Sequence, residues 1–268
     1  MTQVSELMKG KRGLIMGVAN ERSIAWGIAR VLAGQGAKLA FTYQGDAFGR
    51  RAIPLAKSVG AEIIAPCDVN DLKSVDAVFS VAGLPGQPFS DHDTVMVNFV
   101  GAVHLIESLV PVMPAGSAVC CVASNAGMNW QLVREQLHEI VQLPGFDAMR
   151  EFIEANPDRI LSGYAPSKQL VNAWVAWRSP SMLSKHGIRL SNTNPGPTNT
   201  AMMPAFEAMA GAELIDAFVG PSGRRSTAEE QAWPIVFLNS PRCSYVAGVN
   251  FATDAGFMAA METNQLEA

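Results

Sequence analysis

Residues 13–43 read GLIMGVANERSIAWGIARVLAGQGAKLAFTY, and this stretch decides the fold class. Residues 13–18 form a short apolar run with a glycine, Gly17, near its end. This pattern is typical of a buried strand that leads into a tight turn. Apolar residues then recur at helical spacing over 23–32, and a second apolar and aromatic run occupies 37–43. The pattern predicts a strand, a helix and a second strand that lies parallel to the first.

The same alternation continues to the end of the chain. Further strands are predicted over 61–65, 75–81, 117–123, 188–193 and 249–253. Helices are predicted over 50–58, 95–112, 164–177 and 228–238. Alternating strands and helices predict an α/β protein, a Rossmann-like doubly wound parallel sheet with helices on both faces. No linker divides the chain, so we expect residues 1–268 to form a single domain.

One connection departs from the usual pattern. If the third strand runs to Asp68 and the fourth begins at Val75, only six residues join them. A crossover between parallel strands usually needs about a dozen residues or more. We therefore expect a shortened connection, with a missing or single-turn helix over 69–74.

Charge and cysteine spacing limit the classes of function. A net charge of −4, without a stripe of basic residues, disfavours a nucleic-acid partner. No C-x-x-C spacing occurs among Cys67, Cys120, Cys121 and Cys243, which indicates reduced thiols and a cytoplasmic location. Polar residues interrupt the apolar stretch 94–110, so no membrane span is expected. The histidines do not cluster, and no metal site is expected.

The first predicted strand-to-helix turn, residues 17–25 (GVANERSIA), has properties of a phosphate site. Gly17 lets a ligand approach the backbone, and Ser23 places a hydroxyl beside the N–H groups and positive dipole end of the helix. The turn lacks the G-x-G-x-x-G spacing of the usual dinucleotide fingerprint. From these residues alone, phosphate binding and an ordinary capped helix remain equally open.

Residues 9–69 resemble NADH-dependent enoyl-acyl-carrier-protein reductases, an atypical branch of the short-chain dehydrogenases. The matching text is KGKRGLIMGVANERSIAWGIA, LAFTYQGDA and CDVND. The resemblance implies that the cofactor pyrophosphate is met by Gly17, Ser23 and Ile24. It implies that the adenosine half of the cofactor is met by Gln44, Asp68 and Val69.

The implied cofactor is NADH, with NADP(H) as the alternative. Gln44 is neutral where many NAD-specific folds carry an acid. Arg50 and Arg51 follow closely in the sequence and would suit a 2′-phosphate. A solvated helix face is the favoured interpretation of the two arginines, so NADH is preferred.

The rest of the chain resembles the wider short-chain dehydrogenase/reductase family through several pieces in the family's order. They are VDAVFSVAG (75–83), MVNFVGAVHL (96–105), VASNAG (122–127), YAPSK (164–168) and GIRLSNTNPGPTNT (187–200). The resemblance implies a catalytic set of Asn98, Ser124, Tyr164 and Lys168. It implies further cofactor contacts from Ala82, Gly83, Lys168, Pro195, Gly196, Thr198 and Thr200.

The Tyr-x-x-x-Lys spacing has a chemical reason. Residues four apart share a helix face, so Lys168 lies beside Tyr164. An ammonium roughly 4.5 Å from a phenol is expected to lower the phenol pKa by roughly 2–3 units, into the range for proton transfer. Ser124 is expected to hold the substrate oxygen beside Tyr164. The resemblance implies that Asn98 positions a water that links Lys168 to solvent.

A Tyr-Lys pair at this spacing is, in a random sequence, more often a core tyrosine and a surface lysine. Ser124 and Asn98 at the family spacing favour the catalytic interpretation. In enoyl reductases six residues separate the tyrosine from the lysine and the catalytic serine is lacking, whereas here three residues separate them. We therefore expect an NAD(H)-dependent alcohol dehydrogenase/ketoreductase acting on a bulky apolar or aromatic secondary alcohol and its ketone. The alternatives are an enoyl thioester reductase using NADH and a catalytically silent dinucleotide-sensing protein.

Two segments are expected to shape the substrate site. The long separation of Ser124 from Tyr164 resembles the branch with bacterial 3α-hydroxysteroid dehydrogenase/carbonyl reductase and coniferyl-alcohol dehydrogenase. A helical insertion at about 128–162 is expected to form substrate wall or subunit contact. Residues at about 200–225, rich in methionine and phenylalanine, are expected to form a mobile lid, with a core helix equally open. The resemblance also implies a homo-oligomer, either a dimer or a tetramer.

Overall fold

The computed structural model describes residues 6–18, 20–43, 45–66 and 75–265. Within these ranges seven strands form one sheet in the order β3-β2-β1-β4-β5-β6-β7, and every neighbouring pair is parallel. The strands are β1 (Arg12–Ile15), β2 (Lys38–Tyr43), β3 (Ile63–Pro66), β4 (Ala77–Ser80), β5 (Ala118–Val122), β6 (Arg189–Pro195) and β7 (Asn250–Thr253). This order confirms the predicted doubly wound class, because the direction of winding reverses between β1 and β4.

The helices alternate with the strands and cover both faces of the sheet. The α-helices are α1 (Ile24–Gly34), α2 (Gly45–Ser58), α3 (Asp91–Val95), α4 (Ala102–Leu109), α5 (Arg134–Val141), α6 (Gly145–Ala155), α7 (Tyr164–His186), α8 (Met203–Ala210), α9 (Ala212–Asp216), α10 (Ala228–Asn239) and α11 (Phe257–Glu262). A π-helical segment, Met96–Gly101, joins α3 to α4.

Each face of the sheet has its own apolar core, because successive strand residues point to opposite sides. In β4, Val78 belongs to one core and Phe79 to the other. The first core lies under α4 and α7 and includes Trp174. The second lies under α1 and α10, which pack against each other, and includes Ile28.

The helical run over 91–112 is long and apolar enough to cross a membrane by length and composition. Its inner side is packed into the first core, where Val95, Phe99 and Ile106 are fully buried. Packing against the sheet therefore explains the apolar composition of this run.

Several predicted boundaries differ from those observed. β1 ends at Ile15, and residues 16–18 instead line a cleft at the end of the sheet. α7 continues past the predicted end at 177 to His186, with Pro180 inside it. The predicted short connection at 69–74 lies outside the described residues.

The segment between β5 and α7 contains two helices, α5 and α6, between short 3₁₀ turns. These helices pack against α7 and the 91–112 run. Their buried residues join the same core as Trp174, and they are Leu137, Ile140, Val141, Met149 and Ile153. The helical spacing of this segment thus corresponds to an apolar face that the rest of the domain covers.

Gly27 lies where α1 crosses α10, and its lack of a side chain is required there. A Cβ at Gly27 would lie 2.8 Å from the carbonyl oxygen of Ala228. Alanine normally stabilises a helix by about 1 kcal/mol relative to glycine. We expect Gly27→Ala instead to lower the free energy of unfolding by about 1–3 kcal/mol, because two backbones must move apart.

Gly34→Ala is the matched control for this prediction. Gly34 ends the same helix, and a Cβ there meets nothing within 4 Å. This variant is expected to be neutral or slightly stabilising. Urea unfolding of both variants measures the difference, and equal free energies of unfolding would contradict the predicted close contact.

Candidate active site

The loops at the carboxyl end of the sheet surround a cleft of about 1260 Å³. Its walls come from the segments that follow β1, β4, β5 and β6 and from the start of α7. In doubly wound sheets, ligands bind at this edge, beside the point where the strand order reverses. The cleft is therefore the candidate active site.

The turn between β1 and α1 forms one end of the cleft. Gly17 has a φ of 83°, and a Cβ there would lie 3.3 Å from the backbone of Ala82. Ser23 caps α1 by accepting a hydrogen bond of 3.2 Å from the N–H of Trp26. Ser23 and Ile24 both line the cleft, so the positive end of α1 lies at its wall. A bare backbone beside a helix N-terminus is an arrangement that fits a pyrophosphate.

The turns after β4 and β6 line the same cleft. A Cβ at Gly83 would lie 3.2 Å from the side-chain oxygen of Asn98, so this turn is as tightly packed as the first. Thr198 is held by a hydrogen bond of 2.9 Å between its hydroxyl and that of Ser226. The structure brings together in this cleft the predicted cofactor residues Ala82, Gly83, Lys168, Pro195, Gly196, Thr198 and Thr200.

The adenosine end of the predicted site is only partly described. Thr42 and Tyr43, at the carboxyl end of β2, line the cleft there. The sequence analysis did not name them, although their position at the end of the second strand was a usable signal. Arg50 and Arg51 are exposed on α2 and are not among the residues lining the cleft. The residues predicted to meet the adenosine lie outside the described residues, and they are Gln44, Asp68 and Val69.

Ser124, Tyr164 and Lys168 lie together on the cleft wall. Ser124 follows β5, and the other two occupy successive turns of α7. The Lys168 ammonium nitrogen lies 5.4 Å from the centre of the Tyr164 ring. It donates a hydrogen bond of 3.0 Å to the carbonyl oxygen of Val122. The Ser124 hydroxyl lies close enough to Tyr164 to lower the pKa of the phenol. It donates a hydrogen bond of 3.4 Å to the side-chain oxygen of Asn125 and accepts one of 3.1 Å from the N–H of Ala126.

Burial shifts the pKa of Tyr164 and the pKa of Lys168 in the directions that favour their neutral forms. Desolvation raises the pKa of Tyr164 to about 12, and the Ser124 hydroxyl beside it only partly opposes the rise. Desolvation also lowers the pKa of Lys168 to about 8. The expectation of an unusually acidic Tyr164 is therefore wrong. The cost of burying the phenolate exceeds its attraction to an ammonium that is already bound to a main-chain carbonyl.

Asn98 lies behind the cleft wall and not among the residues lining it. Its side chain is 3% exposed. It accepts a hydrogen bond of 2.6 Å from the N–H of Leu84 and donates to the carbonyl oxygen of Leu84 and the hydroxyl of Ser167, each at 3.0 Å. These bonds hold the turn after β4 against α7. The water link between Asn98 and Lys168 stays a prediction.

Residues 202–218, called here the outer wall, give the far end of the cleft an apolar lining. The ring of Phe206 meets that of Tyr164 edge to face, with 4.9 Å between the ring centres. Val97 and Met128, which were not predicted as site residues, also line the cleft. The outer wall contributes Met202, Met203, Phe206, Met209, Ile215 and Phe218.

Arg225 connects the two helices of the outer wall. Its guanidinium lies 2.5 Å from a carboxylate oxygen of Glu207 on α8 and 2.6 Å from one of Asp216 on α9. The Arg225 side chain is only 15% exposed. The sequence showed Arg225 only as half of an isolated basic pair, because its acidic partners are 18 and 9 residues away.

A sheet of this order, with a cleft at its reversal point, defines a doubly wound α/β protein that binds its ligand at that edge. A family model described as enoyl-(acyl carrier protein) reductase matches residues 17–83 and 154–258. The chain belongs to this family. The stretch between the two matched segments contains Ser124 and most of the helices that precede α7.

Known relatives agree with the family match. An enoyl-[acyl-carrier-protein] reductase [NADH] 2 of Rhizobium meliloti is 68% identical over 72 residues, a stretch that spans only 27% of this chain and 27% of that protein. The enoyl-[acyl-carrier-protein] reductase [NADH] FabI of Rickettsia typhi is 26% identical over 94% of this chain and 96% of its own length. The crystal structure of FabI from Candidatus Liberibacter asiaticus has a TM-score of 0.71, at 25% identity, over 95% of this chain and 98% of that one.

These comparisons overturn the expected reaction type. The sequence analysis predicted an alcohol dehydrogenase/ketoreductase, whereas the family and these relatives are enoyl reductases by description. The error has a physical cause. Ser124 and Tyr164 were predicted as donors to a substrate oxygen, but a thioester carbonyl presents an oxygen just as a ketone does. The pair therefore does not distinguish the two substrates.

Lys168 is expected to titrate near neutrality in the isolated protein. Because burial lowers its pKa from 10.5 to about 8, the amine is charged below that pH and neutral above it. NMR of protein carrying isotope-labelled lysine should show one resonance with a midpoint near 8, assigned by its loss in Lys168→Met. A midpoint close to 10.5 for that resonance would mean that the pocket around Lys168 is hydrated.

Proposed function

We propose that the protein is an NADH-dependent enoyl thioester reductase, which saturates the double bond of an acyl chain held as a thioester. The carrying observation is that the Ser124 and Tyr164 hydroxyl groups belong to neighbouring side chains on the wall of the cleft. A thioester carbonyl oxygen placed at this pair receives two donors. The family description and the names of the relatives support an acyl-carrier-protein thioester as substrate.

The β1–α1 turn and the turns after β4 and β6 are assigned to the cofactor. The tight backbone at Gly17 and the N-terminus of α1 at Ser23 and Ile24 would hold the pyrophosphate of NADH. When bound, NADH supplies a hydride. The nicotinamide half is assigned to Ala82, Gly83, Lys168, Pro195, Gly196, Thr198 and Thr200. The adenosine half keeps its predicted contacts with Gln44, Asp68 and Val69.

Ser124 and Tyr164 are assigned to the substrate oxygen. When a hydride adds to the β-carbon, the electrons of the double bond move through the conjugated system, and the carbonyl oxygen becomes the oxygen of an enolate. Because the pKa of Tyr164 is about 12, the phenol is protonated at neutral pH and donates to this oxygen. A solvent proton at the α-carbon completes the saturated thioester as the carbonyl re-forms. The two hydroxyls thus stabilise charge that exists only during the reaction.

Lys168 and Asn98 act beside this pair. A protonated Lys168, one turn from Tyr164, offsets negative charge as it develops at the phenol and the substrate oxygen. Asn98 is assigned to hold the turn at Gly83 and Leu84, which the cofactor would contact. The side-chain oxygen and nitrogen of Asn98 are already hydrogen-bonded to Leu84 and Ser167. The predicted water link to Lys168 would therefore need a contact beyond these bonds.

The segments around the cleft complete the proposal. Residues at about 200–225 would act as a lid over the acyl chain, and the insertion at about 128–162 would support the wall opposite. One domain over 1–268 would contain both. The exposed aromatic residues Trp233, Phe237 and Phe251 would lie in subunit contacts of a cytoplasmic homo-oligomer.

Tyr164→Phe is expected to lower kcat/KM for reduction of a crotonyl thioester by on the order of 100-fold or more, because it removes one donor to the enolate oxygen. NADH affinity should change little. The assay is the loss of NADH absorbance with the thioester, and the affinity is measured by fluorescence titration.

Tyr245→Phe is the control for the removal of a hydroxyl, because Tyr245 is fully exposed. Wild-type activity in Tyr164→Phe would refute the site assignment. A wild-type protein that binds NADH but reduces no enoyl thioester would instead support the dinucleotide-sensing alternative.

Gly17→Ala is expected to weaken NADH binding by about ten-fold or more, because the new methyl group meets Ala82 where the pyrophosphate is assigned. Gly10→Ala is the matched control. Gly10 also has a positive φ, 75°, but a Cβ there meets nothing within 4 Å. Calorimetric titration of both variants with NADH and NADPH provides the measurement.

Equal losses of affinity in Gly17→Ala and Gly10→Ala would argue that backbone strain, and not the cleft, causes the effect. Tighter binding of NADPH than of NADH by the wild-type protein would favour the alternative cofactor.

A further inference from the structure

The interface between β6 and α7 contains three buried amides. Asn192 and Asn194 are two residues apart and so point to the same side of β6. Asn172 lies on α7. Asn172, Asn192 and Asn194 are 2%, 0% and 8% exposed. An interface between a helix and a sheet is usually apolar, because a buried amide is destabilising unless its hydrogen bonds are made.

The amides connect the sheet to the turn that carries Ser124. Asn192 donates a hydrogen bond of 2.7 Å to the side-chain oxygen of Asn172. Asn172 in turn donates one of 2.9 Å to the carbonyl oxygen of Gly127. Independently, Asn194 accepts a hydrogen bond of 3.3 Å from the N–H of Ser124. The strand therefore holds the start of the turn directly and its end through Asn172.

The turn is packed directly against α7 at Gly127. A Cβ there would lie 2.7 Å from the amide nitrogen of Asn172 and 2.8 Å from the carbonyl oxygen of Lys168. Ser124 opens this single 3₁₀ turn, and its carbonyl oxygen accepts from the N–H of Gly127 at 2.9 Å. Fixing Gly127 on α7 therefore fixes Ser124 relative to Tyr164.

Helical spacing places Asn172 on the same side of α7 as the proposed catalytic pair. It follows Lys168 by four residues and Tyr164 by eight, which is about one and two turns. Asn172 is not among the residues lining the cleft. Any effect it has on the reaction must therefore pass through the turn it holds.

We propose that Asn172, itself held by Asn192, is a positioning residue that sets the separation of the Ser124 and Tyr164 hydroxyls. The proposal rests on the proposed function, in which those hydroxyls share one substrate oxygen. Asn194 anchors the strand end before the turn, and Asn172 anchors the turn itself. Without the Asn172 side chain, Asn194 would still accept the hydrogen bond from the N–H of Ser124. The distance between Ser124 and α7 would no longer be fixed.

Asn172→Leu keeps the approximate volume and removes the hydrogen bonds, and Asn172→Ser is a smaller second variant in case leucine prevents folding. Each is expected to lower kcat for crotonyl thioester reduction by about 10- to 100-fold, as misplacement of a reacting group does. The dissociation constant for NADH should stay within about two-fold of the wild-type value.

Thr193→Val is the matched control. Thr193 lies between Asn192 and Asn194 on β6 and points to the opposite side. It is fully buried, and among the described residues its hydroxyl has no hydrogen-bond partner. This variant removes a buried polar group from the same strand and should keep wild-type kcat. An equal loss of kcat in Thr193→Val would overturn the proposal.

A double-mutant cycle separates positioning from general structural support. In a Ser124→Ala background there is no hydroxyl left to position, so adding Asn172→Leu or Asn172→Ser should change kcat by less than about two-fold. If the losses of kcat multiply instead, Asn172 does not act through Ser124 and the proposal is wrong.

Hydrogen exchange gives a readout that does not depend on activity. The N–H groups of Ala126 and Gly127 are bonded to the hydroxyl and carbonyl oxygens of Ser124. They should exchange faster in the Asn172 variants and at the wild-type rate in Thr193→Val. If the wild-type protein reduces no enoyl thioester, the proposed function fails, and exchange alone decides this inference. Unchanged protection of these two groups would then overturn it.

Discussion

Desolvation acts in opposite directions on the two ionisable groups at the start of α7, and the candidate site depends on this balance. The pKa of Tyr164 rises to about 12, and that of Lys168 falls to about 8. Each shift makes the charged form of its group less favourable than it would be in water. Negative charge that develops on a bound oxygen changes this, since it attracts the proton of Tyr164 and the cation of Lys168 at once. The pocket is thus better suited to charge formed during a reaction than to charge present beforehand.

This balance needs a rigid frame, and the frame is made largely of backbone. Gly17, Gly83 and Gly127 each lie so close to a neighbouring segment that a Cβ would meet it at 3.3 Å or less. Amide side chains then fix two of these turns, Asn98 behind Gly83 and Asn172 behind Gly127. Close packing of turns explains why residues from four separate loops occupy one cleft.

The fold class could be predicted from the sequence because periodicity carries it. The apolar runs of β1 and β2 and the helical spacing of α1 are local signals, and local signals determine strand and helix. The predicted end of α7 was wrong because Pro180 usually interrupts a helix, whereas here α7 continues to a left-handed Gly187. The doubly wound α/β class followed from the alternation of elements and not from any single residue.

For the candidate site, the sequence predicts where residues lie better than it predicts their pKa values, their distant partners or the reaction. The residues that follow strand ends could be located by spacing, because parallel strands bring their carboxyl ends to one edge. The pKa of Tyr164 could not, because spacing reports the distance to Lys168 but not the degree of burial. The partners of Asn98, Asn172 and Arg225 are distant in sequence, and no periodic pattern identifies them. Reaction type was mistaken because two oxygen donors suit more than one carbonyl compound.

The ion pairs of Arg225 have a mechanical consequence for the outer wall. The Arg225 guanidinium forms ion pairs with both α8 and α9. The next residue, Ser226, forms a β-bridge with Thr198, on the side of the cleft that is assigned to the cofactor. The two helices are therefore linked through Arg225, and we expect them to move together as one unit. Because the side chains of Arg225 and Glu207 are 15% and 35% exposed, dissolved salt should weaken this ion pair less than one at the open surface. Under the proposed function, the width available to an acyl chain would depend on the position of both helices together and not on single side chains.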